Sequence, residues 1–389
     1  MSADQFIPYG RQTISDEDVR AVTDVLRSDF LTQGPAVPAF EAAVMAASGA
    51  ANGIAMNSAT SALHVACLAL DVRPGDQVWT SPITFVASAN CALHCGADVD
   101  FVDIEPTTFN MSPTALAQKL EQAKAKGRIP KIVIPVHMCG QSCDMAAIHA
   151  LAEQYGFRII EDASHAIGGR YRNGPVGDCR YSDITVFSFH PVKIVTTAEG
   201  GMAVTQDASL ARRMELLRSH GITRETTEMT GPSEGDWYYQ QLALGFNYRM
   251  TELQAALGAS QMKHLAEWVA RRNVLAARYA GMLGHLPLDL PEVIADAYSA
   301  WHLYPVRLHD PNRRAAVFAD LRKDGIGVNV HYIPVHLQPY YRQMGFKPGD
   351  FPAAEAYYAG AISIPLYSVM TDAQQDRVAE RLAARLLEE

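Results

Sequence analysis

One lysine, Lys193, stands in the connection between two apolar runs, Asp183 to Phe187 and Gly201 to Thr205, among hydroxyl, histidine and glycine neighbours. Burial between strands destabilises an ammonium, and the amine so released attacks carbonyl groups, as a Schiff base with an aldehyde requires. A solvated loop lysine is the other reading of these residues. Upstream, Ile159-Ile-Glu-Asp-Ala-Ser-His165 places Asp162 at the end of an apolar run. A carboxylate there either caps a helix or keeps a heterocyclic nitrogen protonated. Ser58-Ala-Thr-Ser61 opens a helical pattern with small and hydroxyl residues. Its free N–H groups and positive dipole end suit a phosphate, although a plain N-cap has the same composition. Phe85 follows a further apolar run and either stacks on a planar ligand or fills core. Gly245-Phe-Asn-Tyr-Arg-Met250 sets Asn247 and Arg249 in a polar turn, and Val330-His-Tyr-Ile-Pro-Val-His336 is rich in histidine and aromatics for a strand end.

These residues need elements to position them. Short apolar runs at Ile54–Asn57, Val78–Ser81, Val99–Val102, Lys131–Val136, Arg158–Glu161, Ile184–Phe187 and Met202–Thr205 alternate with helical patterns. That alternation predicts an α/β fold with a mainly parallel seven-stranded sheet covered on both faces. Ligands of such sheets sit at the carboxyl ends of the strands, where the notable residues cluster. Ser15 is a suitable cap for a first helix, and a second runs from about Val37 to Ala47. From Thr251 one long helical region is expected to reach about Gly284. Beyond it, strands at Trp301–Leu308 and Gly327–Ile333 and helices at Asn312–Lys323 and Ala373–Leu387 suggest a smaller α+β domain. The expected division is 1–265 for the large domain and 266–389 for the small one.

Composition narrows the function classes. The 389 residues are 48% hydrophobic and 19% charged, as in globular proteins. Net charge is 33 − 42 = −9 with no basic block, which disfavours nucleic acid as a partner while leaving room for a small anionic substrate. The longest uncharged run, Gln77 to Ala97, holds Pro82, Asn90, His94 and several hydroxyl residues, so a buried strand and helix is expected and not a membrane span. Met1 to Gly10 lacks the basic and apolar regions of a signal peptide, and six cysteines without a disulfide-like framework suit a cytoplasmic location. Neither Cys91 with Cys95 nor Cys139 with Cys143 has the spacing of a structural zinc site, so no metal is expected. Asn57-Ser-Ala-Thr60 is not the glycine-rich turn that a dinucleotide-binding dehydrogenase requires.

Taken in order, the motifs resemble those of the DegT/DnrJ/StrS nucleotide-sugar aminotransferases. The most specific are Glu161-Asp-Ala-Ser-His-Ala166, Ser188-Phe-His-Pro-Val-Lys193 with Glu199-Gly-Gly201, Asn247-Tyr-Arg-Met-Thr251, and His331-Tyr-Ile-Pro-Val-His336. The likeness runs from Pro8-Tyr-Gly-Arg11 to Ile364-Pro365. It implies the aspartate-aminotransferase-like fold (fold type I), with pyridoxal 5'-phosphate as cofactor. It further implies Lys193 as the Schiff-base lysine, Asp162 as the partner of the pyridinium nitrogen, and His165 near the ring hydroxyl. Phe85 takes the ring-stacking position, and Ala59, Thr60 and Ser188 the phosphate positions. The family more often has glycine where Ala59 stands, but the backbone N–H is the same. Asn247 matches a residue that reaches the phosphate from the neighbouring subunit, which implies a homodimer with shared sites.

A finer likeness, in Pro8-Tyr-Gly-Arg-Gln12, Asn57-Ser-Ala-Thr-Ser-Ala-Leu-His64, Cys179 to Phe187 and Val328 to Tyr340, is to the branch of pseudaminic acid biosynthesis. It implies amino transfer from L-glutamate to C4 of UDP-2-acetamido-2,6-dideoxy-β-L-arabino-hexos-4-ulose. Arg11, Arg249 and His331 are candidates for holding the nucleotide sugar, with His336 a further one. Another 4-keto nucleotide sugar, or a non-catalytic nucleotide-sugar sensor on the same fold, are the alternatives. A branch that dehydrates sugars carries histidine at the lysine position, which Lys193 argues against.

Overall fold

The seven apolar runs form one sheet because buried parallel strands need apolar side chains on both faces. The computed structural model describes residues 6–387; Met1 to Gln5, at the start of the N-terminal stretch read above, and Glu388 and Glu389 lie outside it. The strands are β1 (Asn52–Met56), β2 (Gln77–Thr80), β3 (Asp98–Phe101), β4 (Ile132–Ile134), β5 (Arg158–Asp162), β6 (Ile184–Ser188) and β7 (Gly201–Thr205). Their order is β1-β7-β6-β5-β4-β2-β3. Only β7 runs against its neighbours, pairing antiparallel with both β1 and β6. The connection that carries Lys193 therefore turns the chain straight back, with Ser188 paired opposite Gly201. Its own backbone braces it: Phe189 N donates to Gly200 O, Thr197 N to Phe189 O, and Lys193 N to His190 O, each at 2.9 Å.

The N-terminal segment forms the two helices expected of it. Helix α1 (Asp16–Leu26) starts with a capping box, Ser15 Oγ accepting from Asp18 N while Asp18 accepts from Ser15 N. Helices α2 (Ala36–Ser48), α3 (Ala59–Ala69), α4 (Ala87–His94), α5 (Pro113–Ala125), α6 (Met145–Tyr155) and α7 (Ala208–Arg218) follow, most of them between strands. Among the described residues no helix is long and apolar enough to cross a membrane.

Three expectations need correction. The helical region after Thr251 is two helices, α8 (Glu252–Met262) and α9 (Leu265–Leu283), broken at Lys263 and His264. The strand expected from Trp301 begins only at Tyr304, because Trp301 has a positive φ of 49°. The buried Arg272 holds that bend by donating from Nη1 to the carbonyls of Trp301 at 3.0 Å and His302 at 3.3 Å. Gly327 to Ile333 is no strand at all. It makes one isolated bridge, Asn329 to Ser363, and the Asn329 side chain accepts from Val330 N at 2.8 Å. A side chain that bonds its own backbone competes with the ladder.

The C-terminal part has an antiparallel sheet of β8 (Leu288–Asp289), β9 (Tyr304–Leu308) and β10 (Ala361–Ile364). It packs with α9, α10 (Arg314–Lys323) and the last helix, α11 (Asp372–Leu387), around Tyr279, Tyr304, Leu321 and Leu382. Helix α9 serves two cores. Leu265, Trp268 and Val269 pack with Phe187 and Phe189 against the large sheet, while Leu275, Tyr279 and Leu283 lie in the C-terminal cluster.

Candidate active site

The carboxyl ends of β1, β5 and β6 open on one cavity of about 440 Å³, and Lys193, Asp162, His165, Ser188, Ala59 and Thr60 line it. Phe85 and His331 line it too. The fold brings these residues together from five separate stretches of chain. Phe85 is 59% exposed, which decides between its two readings: it presents its ring to open space instead of filling core.

At one end of the cavity α3 begins. Ser58 caps it by accepting from Ser61 N at 3.1 Å, and no described residue accepts from the N–H groups of Ala59 and Thr60. Two free N–H groups at a positive helix end form an anion site. Gly201 is required beside them, since a Cβ there would lie 2.4 Å from Ala59 N. Gly201 thus serves the close approach of β7 to the start of α3, while its neighbour Gly200 lies against Thr197 and Met250.

In the middle stand a carboxylate and an amine. Asp162 ends β5 and is 5% exposed. Its Oδ2 accepts from the buried Ser88 Oγ at 2.6 Å and its Oδ1 from Ser164 N at 3.1 Å. Strand alternation sends the adjacent Glu161 to the opposite face, where it meets His137 Nε2 at 2.6 Å. Burial lowers the Lys193 ammonium to about 7, against the opposing pull of Asp162. At neutral pH a large share of Lys193 is therefore free amine, the form that attacks an aldehyde.

That value sets a pH dependence for the cofactor-free protein. Aldehyde capture by Lys193 is expected to quicken as pH rises through about 7 and then level off. Stopped-flow absorbance on mixing apoprotein with pyridoxal phosphate measures it, and a rate indifferent to pH across that midpoint would count against Lys193. For folding the sign is the same: a depressed lysine lets the unfolded chain bind the proton more tightly. This group therefore makes the folded apoprotein more stable as pH rises from about 7 toward the ordinary 10.5.

On the β4 side the cavity is walled by imidazoles and a phenol. His165 Nδ1 accepts from Cys139 N at 3.3 Å, and its Nε2 lies 3.2 Å from the Tyr332 hydroxyl. His302 packs on His165 with ring centroids 4.5 Å apart. His331 pairs Nδ1 with Ser363 Oγ at 2.9 Å, and its ring lies 5.4 Å from that of Tyr9. Burial, reinforced by Lys193, pushes His331 down to about 3 and holds His165 and His302 well below the ordinary histidine range. All three rings are neutral, so the cavity does not pile positive charge around the lysine.

The remaining sequence candidates do not line this cavity. Asn247 is exposed, in an isolated bridge with Ser219. Arg249 bridges to Met56 at the end of β1 and donates from Nη1 to Ser219 Oγ at 3.0 Å. Arg11 is exposed near the rim, two residues from the lining Tyr9 and one from Gly10, which faces Val192 of the wall. His336 is buried elsewhere, bonded to Glu355 at 3.0 Å and packed on Phe351. Tyr9, His302 and Tyr332 line the cavity and were not singled out as site residues. Tyr332 lies inside the motif rich in histidine and aromatics, and His302 follows Trp301 in a run whose pattern predicts a strand.

A pyridoxal phosphate molecule calls for an amine at its aldehyde, an anion at its ring nitrogen, donors for its phosphate and a flat cover for its ring. Lys193, Asp162, the N–H groups at the start of α3 and the ring of Phe85 are groups of those kinds in one cavity, and they fit it. Together with the mainly parallel sheet they define the class: a pyridoxal-phosphate-dependent enzyme of fold type I. Residues 12–383 match the DegT/DnrJ/EryC1/StrS aminotransferase family, and the chain belongs to it. It is a sugar aminotransferase of that family. It is 40% identical over 381 residues to the spore coat polysaccharide biosynthesis protein SpsC of Bacillus subtilis, covering 96% of each chain. Among solved structures, PseC of Helicobacter pylori, an aminotransferase of pseudaminic acid biosynthesis, superposes with a TM-score of 0.90 at 30% identity, over 98% of this chain and 99% of that one. The putative sugar aminotransferase Spr1654 of Streptococcus pneumoniae, solved in its PLP form, gives 0.88 at 28% identity, over 98% of both chains.

Proposed function

We propose that this enzyme moves the amino group of L-glutamate to C4 of UDP-2-acetamido-2,6-dideoxy-β-L-arabino-hexos-4-ulose, in pseudaminic acid biosynthesis. The observation that carries the reading is the full-length likeness to PseC, at a TM-score of 0.90. The experiment is an assay with glutamate against a panel of 4-keto nucleotide sugars. Preference for this UDP sugar supports the reading, and activity confined to a non-acetylated or non-UDP sugar overturns it. A second reading, the same chemistry on another 4-keto nucleotide sugar, is favoured by the higher identity to SpsC, 40% against 30%.

When bound, pyridoxal phosphate supplies an aldehyde that captures the donor nitrogen and a ring that takes up electrons from the broken C–H bond. In this proposal Lys193 does the proton work. Its amine removes the α-hydrogen of glutamate, and in the second half its ammonium returns a proton to sugar C4. Asp162, held by Ser88 and Ser164 N, keeps the ring nitrogen protonated. Ala59, Thr60 and Ser188 bind the phosphate, and Phe85 covers a ring face and excludes water. His331, Arg11 and Arg249 are assigned to the substrates, the guanidinium groups being suited to a carboxylate or diphosphate.

Asn247 is assigned to the phosphate of the neighbouring subunit in a homodimer. Two observations support this. Asn247 lies outside the cavity of its own chain, and the segment before it exposes Trp237 at 72% and Leu244 at 82%. Exposed apolar side chains in one segment mark an interaction surface. Mixing the inactive variants Lys193→Ala and Asn247→Ala under subunit exchange is expected to restore activity, because the hybrid dimer holds one site with both residues intact. Mixtures as inactive as the separate variants would rule out shared sites.

A further inference from the structure

Outside the cavity, three thiols meet where α3 packs on α4. Cys67 lies in the last turn of α3, Cys91 in α4, and Cys95 one turn further on, at the C-terminal cap of α4. All three are free and belong to one core cluster. Cys67 and Cys91 are fully enclosed, whereas Cys95 is 9% exposed and follows the exposed His94, so a small solute reaches Cys95 first. The Cys91 thiol is also engaged by its own helix, its Sγ donating to Ser88 O at 3.3 Å. Imidazoles complete the cluster. The His64 ring lies 5.5 Å from that of His94 and 4.9 Å from that of Phe246, and the Tyr248 hydroxyl is 3.3 Å from His64 Nδ1.

These surroundings give two of the thiols different chemistry. A hydrogen bond from Cys67, with the His64 imidazole beside it, lowers the Cys95 thiol to about 6 against the cost of burial. Cys67, bonded to Cys91 and Cys95 and buried, is held as a thiol well above the ordinary range. The thiolate is the form of cysteine that peroxides oxidise, and an adjacent thiol resolves the first product. Both helices also begin at the cavity. Ala59 and Thr60 of α3 and Ala87 of α4 line it, and Ser88 in the first turn of α4 donates to Asp162 at 2.6 Å.

We propose that Cys95 and Cys67 are a peroxide-reactive pair that closes to a disulfide between α3 and α4 and, while closed, slows the enzyme. The Cys95 sulfur attacks one oxygen of hydrogen peroxide, the O–O bond breaks, and hydroxide leaves. Sulfur is oxidised to the sulfenic acid and the peroxide is reduced. The Cys67 sulfur then attacks that of Cys95, its proton goes to the departing oxygen, and water leaves as the S–S bond forms. A covalent bond is shorter than the hydrogen bond it replaces, so closure draws the end of α4 toward α3. That pull reaches Ser88 along a stiff helix of two turns. The slowing rests on the role given to Asp162 above; the thiol chemistry does not.

The test exposes the holoenzyme to hydrogen peroxide and maps its thiols by peptide mass. A disulfide joining Cys67 to Cys95 is expected, and Cys91→Ser is expected to keep it. Cys67→Ser is expected to leave Cys95 as a sulfenic acid that dimedone captures. No disulfide in the parent protein, or one that joins Cys91 instead, overturns the pair. Bleaching of the visible band by glutamate then reads the connection to the cavity. It is expected to slow roughly tenfold in the cross-linked protein, as displacement of a positioned group does, to recover with dithiothreitol, and to resist peroxide in Cys95→Ser. A cross-linked protein that bleaches at the parent rate overturns the coupling. A reduced parent that glutamate does not bleach counts against the proposed reaction instead, and the peptide map still decides the thiol pair.

Discussion

Lys193→Ala is expected to abolish turnover and to remove the visible absorbance of the lysine-bound cofactor. The side chain is asked to do two jobs that no neighbour can take over. In the proposed reaction it holds the aldehyde covalently, and it carries a proton off one carbon and onto another. His165, His302 and His331 are too far below the ordinary histidine range to hold a proton near neutral pH, and His165 is bonded at both nitrogens. Loss of a positioned acid–base group alone slows a reaction by about 10² to 10⁴-fold, and loss of covalent capture adds to that. The fold is expected to survive, because alanine removes a buried amine that costs free energy to desolvate. Absorption spectra and single-turnover rates with glutamate measure both effects. Retention of either the band or the rate would move the chemistry to another residue.

Asp162→Asn is expected to leave the cofactor bound but to slow the glutamate half-reaction by about 10² to 10³-fold, the size of losing one preorganised electrostatic partner of the transition state. The amide has the shape of the carboxylate and retains an oxygen for Ser88 or Ser164 N, so packing at the end of β5 is little disturbed. What changes is charge. A neutral amide does not keep the ring nitrogen protonated, and the ring then draws electrons more weakly. The visible band separates the outcomes: a band present with a slow half-reaction supports the role, and a rate within about threefold of the parent would reassign Asp162 to structure.

The large sheet was legible because strands buried on both faces appear as continuous apolar runs, and all seven lie within a residue or two of where those runs fall. Asp162 could be singled out because it directly follows such a run, and Lys193 because it is the one lysine in the connection between two of them. The wall formed by Tyr9, His302 and Tyr332 was not legible in the same way. Its members come from the two ends of the chain, and what places them is folding of the C-terminal part over the sheet. Local pattern also misled where tertiary contacts prevailed. The stretch after Gly327 has apolar residues enough for a strand, but Asn329 bonds its own backbone. Trp301 is bent out of strand geometry by a buried arginine 29 residues earlier in the chain.

The continuity of α9 bears on how this protein is put together. One uninterrupted helix supplies Trp268 to the packing against the large sheet and Tyr279 to the C-terminal cluster. The two parts are thus joined along a stiff rod, without the loose tether that lets neighbouring modules fold and be exchanged independently. Severing the chain just before Leu265 would deprive the first part of a helix that covers Phe187 and Phe189, directly behind the segment that bears the lysine. The lysine-bearing segment and the C-terminal part are therefore coupled through one helix, and a cut before Leu265 is expected to disturb both.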